Sequence, residues 1–347
     1  MPANAPVPSN ASLPTDSTVA GRAIGAFVGA AAGDALGAPF EFRPPGTFRR
    51  TFPEPVLTAP GEMTGGGPWL PGEFTDDTQM AVALGESLCQ RGGLDSNDVW
   101  ARWRSWAIDA QDVGVLTRRA LEEPGPAGAA QIAHDDSGGM SAGNGTIMRN
   151  VPVALFTLRE PLAAAADLAV RQAALTHHDR VTHEGAVLHT VMVRAAVRGD
   201  DPLAALAASL ATADLVDDPR WRVLLGPSWH PDDAEHGNGT VWTCLAQAVW
   251  AVRHADSFER AVVDAVDLGD DADTVACVAG AIAGARFGIQ GIPSRWTMHL
   301  NGRIGTADGP AHLDTAGLQD LARRLIGRGT NRERSTSRAG SARSVAE

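Results

Sequence analysis

Two short acidic segments carry the strongest chemical signal in the chain. The first is Gly72-Glu73-Phe74-Thr75-Asp76-Asp77-Thr78-Gln79-Met80, and the second is Leu268-Gly269-Asp270-Asp271-Ala272-Asp273-Thr274. Each sets carboxylates beside a threonine and leads at once into an apolar helical pattern. Acidic residues at a helix start are ordinary caps: they satisfy free N–H groups and suit the positive end of the helix dipole. Carboxylates and hydroxyls are equally hard oxygen ligands for Mg²⁺ or Mn²⁺, and no interleaved His or Cys favours zinc. Two carboxylates 4 Å apart repel by about 4 kcal/mol at an effective dielectric near 20. The segments therefore either stay apart as two caps or are bridged by cations. Residue types leave both readings open.

A third segment, Ser141-Ala142-Gly143-Asn144-Gly145-Thr146-Ile147-Met148-Arg149, has a Gly-Asn-Gly turn expected to enter a helix. Such a turn offers free N–H groups to phosphate or another anion, although most such turns are only turns. A fourth, Leu175-Thr176-His177-His178-Asp179, falls between two helical stretches. A histidine there is by default a structural group, and His178, His183 and His189 default to structural or surface roles.

The elements that must position these segments read as helices. Met80, Ala83, Leu84, Ser87 and Leu88 follow amphipathic spacing. Trp100, Trp103 and Trp106 form a core-facing stripe after an Asn97 cap, and Val187, Leu188, Val191 and Ala195 precede a stop at Gly199. Ala-rich helices are expected over 161–174, 203–212, 241–254 and 258–267. Strand alternation is scarce, so the fold class is all-α, a single multi-helix bundle. Glycines recur every four residues at 21, 25, 29, 33 and 37, and Ala276, Gly280, Gly284 and Gly288 repeat the pattern. Gly costs up to about 1 kcal/mol per interior helix position against Ala, so close helix packing must offset the loss. Two central, mutually packed helices are expected.

Composition removes other classes. The 347 residues hold 41 acidic and 29 basic side chains, a net charge of -12, which argues against a nucleic-acid surface or an anionic membrane. Arg22, Asp34 and Arg286 make a membrane-spanning role for the glycine-rich helices an unfavourable reading. Cys89, Cys244 and Cys277 lack metal or disulfide spacing and read as buried thiols of a reducing, cytoplasmic compartment. Residues 1–18 read as a disordered lead, 19–328 as one domain and 329–347 as a disordered tail. Nothing requires a second copy, so a monomer is expected.

Taken together, the segments resemble the ADP-ribosylglycohydrolases, which include the dinitrogenase-reductase-activating glycohydrolase. The resemblance runs in order through Gly33-Asp34-Ala35-Leu36-Gly37-Ala38-Pro39-Phe40-Glu41, Phe74-Thr75-Asp76-Asp77-Thr78, Gly143-Asn144-Gly145 with Met148-Arg149, Thr176-His177, and Asp271-Ala272-Asp273-Thr274. It implies an all-α fold with two Mg²⁺ ions (Mn²⁺ as the alternative) at the floor of a cleft. Thr75, Asp76 and Asp77 would hold one side of the metal pair and Asp271, Asp273 and Thr274 the other. Glu41 would be a mobile acidic residue assisting catalysis with Asp76 and Asp77. Ser141, Gly143, Asn144 and Gly145 would hold diphosphate and ribose, and His177 would approach the ADP-ribose. The implied reaction is hydrolysis of the glycosidic bond between ADP-ribose and a protein side chain or small molecule.

The chain departs from many relatives in small ways. Ala142 stands where some carry an aromatic, Asp270 adds a charge beside the second cluster, and the absence of tyrosine leaves stacking to Phe or Trp. Asp34 is expected to brace the loop before Glu41. Arg149 has two roles open to it, phosphate contact or pairing with a buried acid. Selectivity would come from rim loops such as 43–70 and 214–239. Two other readings compete: an HD-type metal phosphohydrolase built on His178-Asp179 with His134, and a non-catalytic ADP-ribose binder.

Overall fold

A computed structural model describes residues 17–58, 60–212, 215–306 and 309–327. The expected lead and tail lie outside the described residues, apart from Ser17 and Thr18 at the start of the first helix. In chain order the helices are α1 (Ser17–Gly37), α2 (Thr47–Thr51), α3 (Asp76–Arg91), α4 (Ser96–Ala107), α5 (Val115–Leu121), α6 (Ala129–Asp136), α7 (Val151–Phe156) and α8 (Leu162–Ala173). Then come α9 (Arg180–Arg198), α10 (Pro202–Ala211), α11 (Arg220–Leu224), α12 (Val241–His254), α13 (Phe258–Val266), α14 (Ala272–Phe287), α15 (Ser294–Thr297) and α16 (Thr315–Gly327). The four Ala-rich helices expected over 161–174, 203–212, 241–254 and 258–267 are present within a residue or two at each end.

The glycine spacing decides how the centre packs. A Cβ on Gly25 would stand 2.2 Å from the Gly284 carbonyl oxygen, one on Gly29 2.5 Å from that of Gly280, and one on Gly33 2.0 Å from that of Ala276. As the number rises along α1 it falls along α14, so the two helices are antiparallel with their backbones in contact. At the end of this ladder a Cβ on Gly37 would meet Asp273 Cα at 2.4 Å. Gly21 is not part of the seam, since its nearest neighbour is the Gln290 side chain at 3.8 Å. The seam delivers the C-terminal end of α1 to the N-terminal end of α14. Asp34, Glu41 and the second acidic segment are thereby brought to one place.

Around this pair stand α9, α12 and α13 on the α14 side, with α3, α7 and α16 touching α1. Thr18–Phe40 is apolar and long enough to cross a membrane by composition, but 94% of its apolar 18-residue window is buried inside the protein. It is a core helix. The tryptophan stripe of α4 is buried as expected, with Trp103 Nε1 donating to the Met80 carbonyl at 3.2 Å. The cap of α4 is Asp95, not Asn97: its carboxylate accepts from Asn97 N–H at 3.1 Å and Asp98 N–H at 3.0 Å.

One element was not legible. Asn301–Thr306 (β1) pairs antiparallel with Gly309–Asp314 (β2), Asn301 opposite Asp314 and Thr306 opposite Gly309. The sequences NGRIGT and GPAHLD have too few β-branched residues to announce strands. Asn301 accepts from Phe74 N–H at 2.9 Å and donates its own N–H to Gly72 O at 2.9 Å. The hairpin thus fixes the approach of the chain to α3.

A candidate metal centre between three helix ends

The first acidic segment opens α3, with Thr75 at the N-cap position. Thr75 makes no side-chain capping bond. Asp34 caps the helix from across the seam instead. Its carboxylate accepts from Thr75 N–H at 2.9 Å, from Thr78 N–H at 3.1 Å and from the Thr78 hydroxyl at 2.5 Å. Asp34 therefore braces the start of α3, not the loop before Glu41. Burial raises its carboxyl to about 6, against the pull of those donors. With capping done by another helix, none of Thr75, Asp76 and Asp77 spends its side chain on the helix start. The Thr75 hydroxyl and Asp77 Oδ2 are buried with no hydrogen-bond partner.

The second segment opens α14, and its cap residue, Asp271, likewise makes no capping bond. Asp271 is held by amides. Asn144 Nδ2 donates to its Oδ2 at 2.8 Å, and its own N–H donates to Asn238 Oδ1 at 2.9 Å. Asn238 is itself buried and donates to Gln247 Oε1 at 2.9 Å and Gly269 O at 3.0 Å. Asp273 Oδ1 accepts from Thr274 N–H at 2.8 Å.

Glu41 closes the third side. Oxygens of Glu41, Asp271 and Asp273 all lie within 4.8 Å of one another. The loop carrying Glu41 is stitched to the loop before α14: Phe42 N–H donates to Asp270 O at 2.6 Å, Asp270 N–H to Arg43 O at 2.9 Å and Gly46 N–H to Asp267 O at 2.7 Å. Phe42 and Asp270 both sit in the left-handed region, φ 58° and 55°. That conformation costs about 1 kcal/mol or more for a residue with a side chain. Two strained residues thus flank the two carboxylates they present.

The electrostatics show one cluster. Burial pushes Asp76, Asp77 and Asp273 well above the carboxylate range, with neighbouring carboxylates adding to it. Asp271 is raised by burial, opposed by Asn144 and Thr274. Glu41 rises to about 8, first through burial and then through Asp112, Asp271 and Asp34. Mutually repelling carboxylates with orphaned oxygens are the donor set of a hard divalent cation. Thr75, Asp76, Asp77, Asp271, Asp273 and Thr274, with Glu41 beside them, fit such an ion. Capping alone does not account for them.

The chain matches the profile of the ADP-ribosylglycohydrolase family over residues 15–334. It belongs to that family. It is 33% identical to the ADP-ribosyl-[dinitrogen reductase] glycohydrolase of Rhodospirillum rubrum over 84% of this chain and 94% of that protein. To the ADP-ribosylarginine hydrolase Tri1 of Pseudomonas putida it is 33% identical, over 79% of this chain and 73% of that one. A solved structure described as an ADP-ribosylglycohydrolase-related protein complex superposes with a TM-score of 0.72 at 37% identity, covering 90% of this chain and 99% of the other. The protein is thus a hydrolase of the all-α, metal-dependent ADP-ribosylglycohydrolase type.

The remaining expected residues of this glycohydrolase fall in two groups. The Ser141–Gly145 turn lies beside the cluster, but it does not enter a helix, because α7 begins only at Val151. The helix start that meets it is that of α12, whose Val241 N–H donates to the Ala142 carbonyl at 2.8 Å. Among the described residues, no acceptor bonds the N–H of Gly143 or Gly145, so both stay available to a ligand. Asn144 is spent otherwise, bonding Asp271 and the Asn238 carbonyl. The Ser141 hydroxyl bonds His134 Nδ1 at 2.6 Å. His177 is buried with its ring against the turn: a Cβ on Gly143 or Gly145 would stand 3.1 Å and 3.3 Å from its Nε2. His178 is exposed and stacks near His134, while Asp179 caps α9 through Val181 N–H at 3.1 Å. That division of labour leaves the HD-type reading without a metal pair.

Two residues, Asp112 and Asn238, lie outside the sequence reading, and Asn144 takes a role beyond it. Asp112, half-buried between α4 and α5, is the largest charge acting on both Glu41 and Asp76. Asn144 was read as a substrate group and Asn238 not at all, yet together they hold Asp271. A lone Asp in a loop and a lone Asn between glycines have no spacing that ties them to a distant cluster.

Proposed function

We propose that the protein hydrolyses, with two Mg²⁺ ions bound, the glycosidic bond between ADP-ribose and an arginine side chain, reversing ADP-ribosylation in the cytoplasm as a monomer. One observation carries the metal reading: Thr75 Oγ1 and Asp77 Oδ2 are buried without partners beside a trio of carboxylates. Thr75, Asp76 and Asp77 would hold one ion and Asp271, Asp273 and Thr274 the other. The bound ions supply Lewis acidity that orients ribose hydroxyls and activates a water.

The chain's own groups do the rest. Gly143, Gly145 and Ser141 receive diphosphate and ribose, with His177 behind them. The anomeric carbon develops positive charge as its bond to the acceptor lengthens, and the carboxylate floor stabilises it. Glu41 moves the proton at the leaving atom. Glu41, Asp112 and the exposed Asp270 give the mouth a negative field, which favours a cationic guanidinium acceptor. The name of the Pseudomonas putida relative supports the same linkage.

The test is a panel of arginine-linked, serine-linked and O-acetyl ADP-ribose substrates assayed with Mg²⁺, Mn²⁺ or EDTA. Arginine-linked substrate should be released fastest with Mg²⁺ and stall in EDTA. Equal release in EDTA overturns the metal assignment, and preference for a neutral acceptor overturns the linkage. Binding of ADP-ribose without turnover of any substrate would favour the non-catalytic reading.

A further inference from the structure

Arg149 touches neither a phosphate subsite nor a carboxylate, the two roles open to it in the sequence. It is fully buried, its guanidinium 4.2 Å from the Trp103 ring centroid. Its Nε donates to Gln172 Oε1 at 3.1 Å and its Nη2 to the Thr176 hydroxyl at 2.7 Å. A guanidinium has donors only, so Thr176 must accept there. The Thr176 proton then needs an acceptor of its own. Among the described residues the hydroxyl has one other partner, Nδ1 of His177, at 2.8 Å. Nδ1 is therefore the acceptor, and the ring proton of a neutral imidazole resides on Nε2. That Nε2 faces Gly143 and Gly145 and has no partner among the described residues. Burial and the nearby Arg149 cation hold His177 well below its usual range, so the ring stays neutral.

We infer that Arg149, acting through Thr176, fixes His177 as a neutral Nε2–H donor that holds an oxygen of the ADP-ribose lying on the Gly143–Gly145 turn. Arg149 and Thr176 are positioning residues. The relay rests on the functional reading above for the identity of the ligand, but not for the tautomer.

The experiment separates the two. Thr176→Val removes the hydroxyl at constant shape, and Thr176→Ser keeps it. In protein labelled with ¹⁵N-histidine, with His177→Gln identifying the signal, wild type should show a protonated Nε2 and a bare Nδ1 without ligand. Thr176→Ser should match it, and Thr176→Val should shift the proton towards Nδ1. ADP-ribose titrated calorimetrically should bind Thr176→Val about tenfold more weakly, about 1.4 kcal/mol, with Thr176→Ser near wild type. An unchanged tautomer in Thr176→Val overturns the relay, as does a changed tautomer with unchanged affinity. Equal loss in Thr176→Ser overturns it too, because the effect would then belong to packing. If wild type fails to bind ADP-ribose at all, the functional reading falls, while the ligand-free spectra still decide the tautomer.

Discussion

The starts of α3 and α14 have similar sequences and opposite surroundings. Thr75, Asp76 and Asp77 are starved: the helix is capped by Asp34, and two of their oxygens have no partner. Asp271 is furnished, with Asn144 on its carboxylate and Asn238 on its backbone. Under the proposed metal reading, the difference teaches how this protein builds a two-sided cation site. One side is made rigid and left hungry, so that an ion completes it. The other is preorganised by amides and stays aligned whether or not an ion is bound. Neither arrangement is what a capping helix start requires.

The largest effect should come from the starved side. Asp77→Asn removes a charge that the cluster can spare in the metal-free protein but not in the working one. Hydrolysis of ADP-ribosylated substrate should fall by about 100-fold or more, beyond the 10–100-fold typical of groups behind the ligands. In EDTA the same variant should melt higher than wild type, because burial and neighbouring carboxylates act against that charge. Activity near wild type, or a lower melting temperature in EDTA, would break the comparison.

Next comes the brace. Asp34→Ala strips the buried N–H groups of Thr75 and Thr78 of their acceptor. Lost caps and unsatisfied buried donors cost about 1–3 kcal/mol each way of measuring, readable by denaturant unfolding. Metal affinity should fall about 10–100-fold with it. Full metal affinity in a destabilised Asp34→Ala protein would mean that the brace serves folding alone.

The furnished side should give less. Asn144→Ala removes one donor from Asp271 while Asn238 still holds its backbone, so affinity for Mn²⁺ should drop about tenfold, at the low end for such support. A loss as large as that of Asp77→Asn would show that Asn144 itself meets the ion or the substrate.

Much of this centre was legible beforehand, for physical reasons. Four-residue glycine spacing can hardly mean anything but a close helix seam, and the seam alone brings Glu41 to Asp273. The acidic segments stand out by type, but type alone leaves helix caps and cation ligands equally open. What the sequence withheld is whatever acts through space without a pattern. Asp34 looked like a brace, but the helix it braces lies on another segment. Asp112 and Asn238 are single residues in loops. The Gly143–Gly145 turn suggested a helix start because glycine and asparagine serve turns and caps alike. Arg149 was undecidable, because a buried arginine over a tryptophan reads in sequence like any arginine.

The smallest effect sharpens the contrast most. In the metal-free protein Asp34 and Glu41 are raised to about 6 and about 8, and Asp76, Asp77, Asp271 and Asp273 are raised as well, mainly by burial. Unfolded carboxyls ionise near pH 4. Between about pH 4 and 8 these carboxyls therefore hold more protons in the folded state than in the unfolded one, and their contribution to stability falls as pH rises, opposed below about pH 6.5 by His177, His183 and His189, which burial holds below the usual histidine range. The stabilisation is complete below the unfolded range and is lost as pH climbs through the folded values. In EDTA the melting temperature should accordingly decline between pH 5.5 and 8.5 by a few degrees. Saturating Mg²⁺ binds the ionised carboxylates of the folded state only and should cancel or reverse that decline. Asp77→Asn should flatten the EDTA profile more than Asn144→Ala does, because the first removes a crowded charge and the second only a donor. A profile flat in EDTA and unmoved by Mg²⁺ would mean that the starved side is not hungry for a cation.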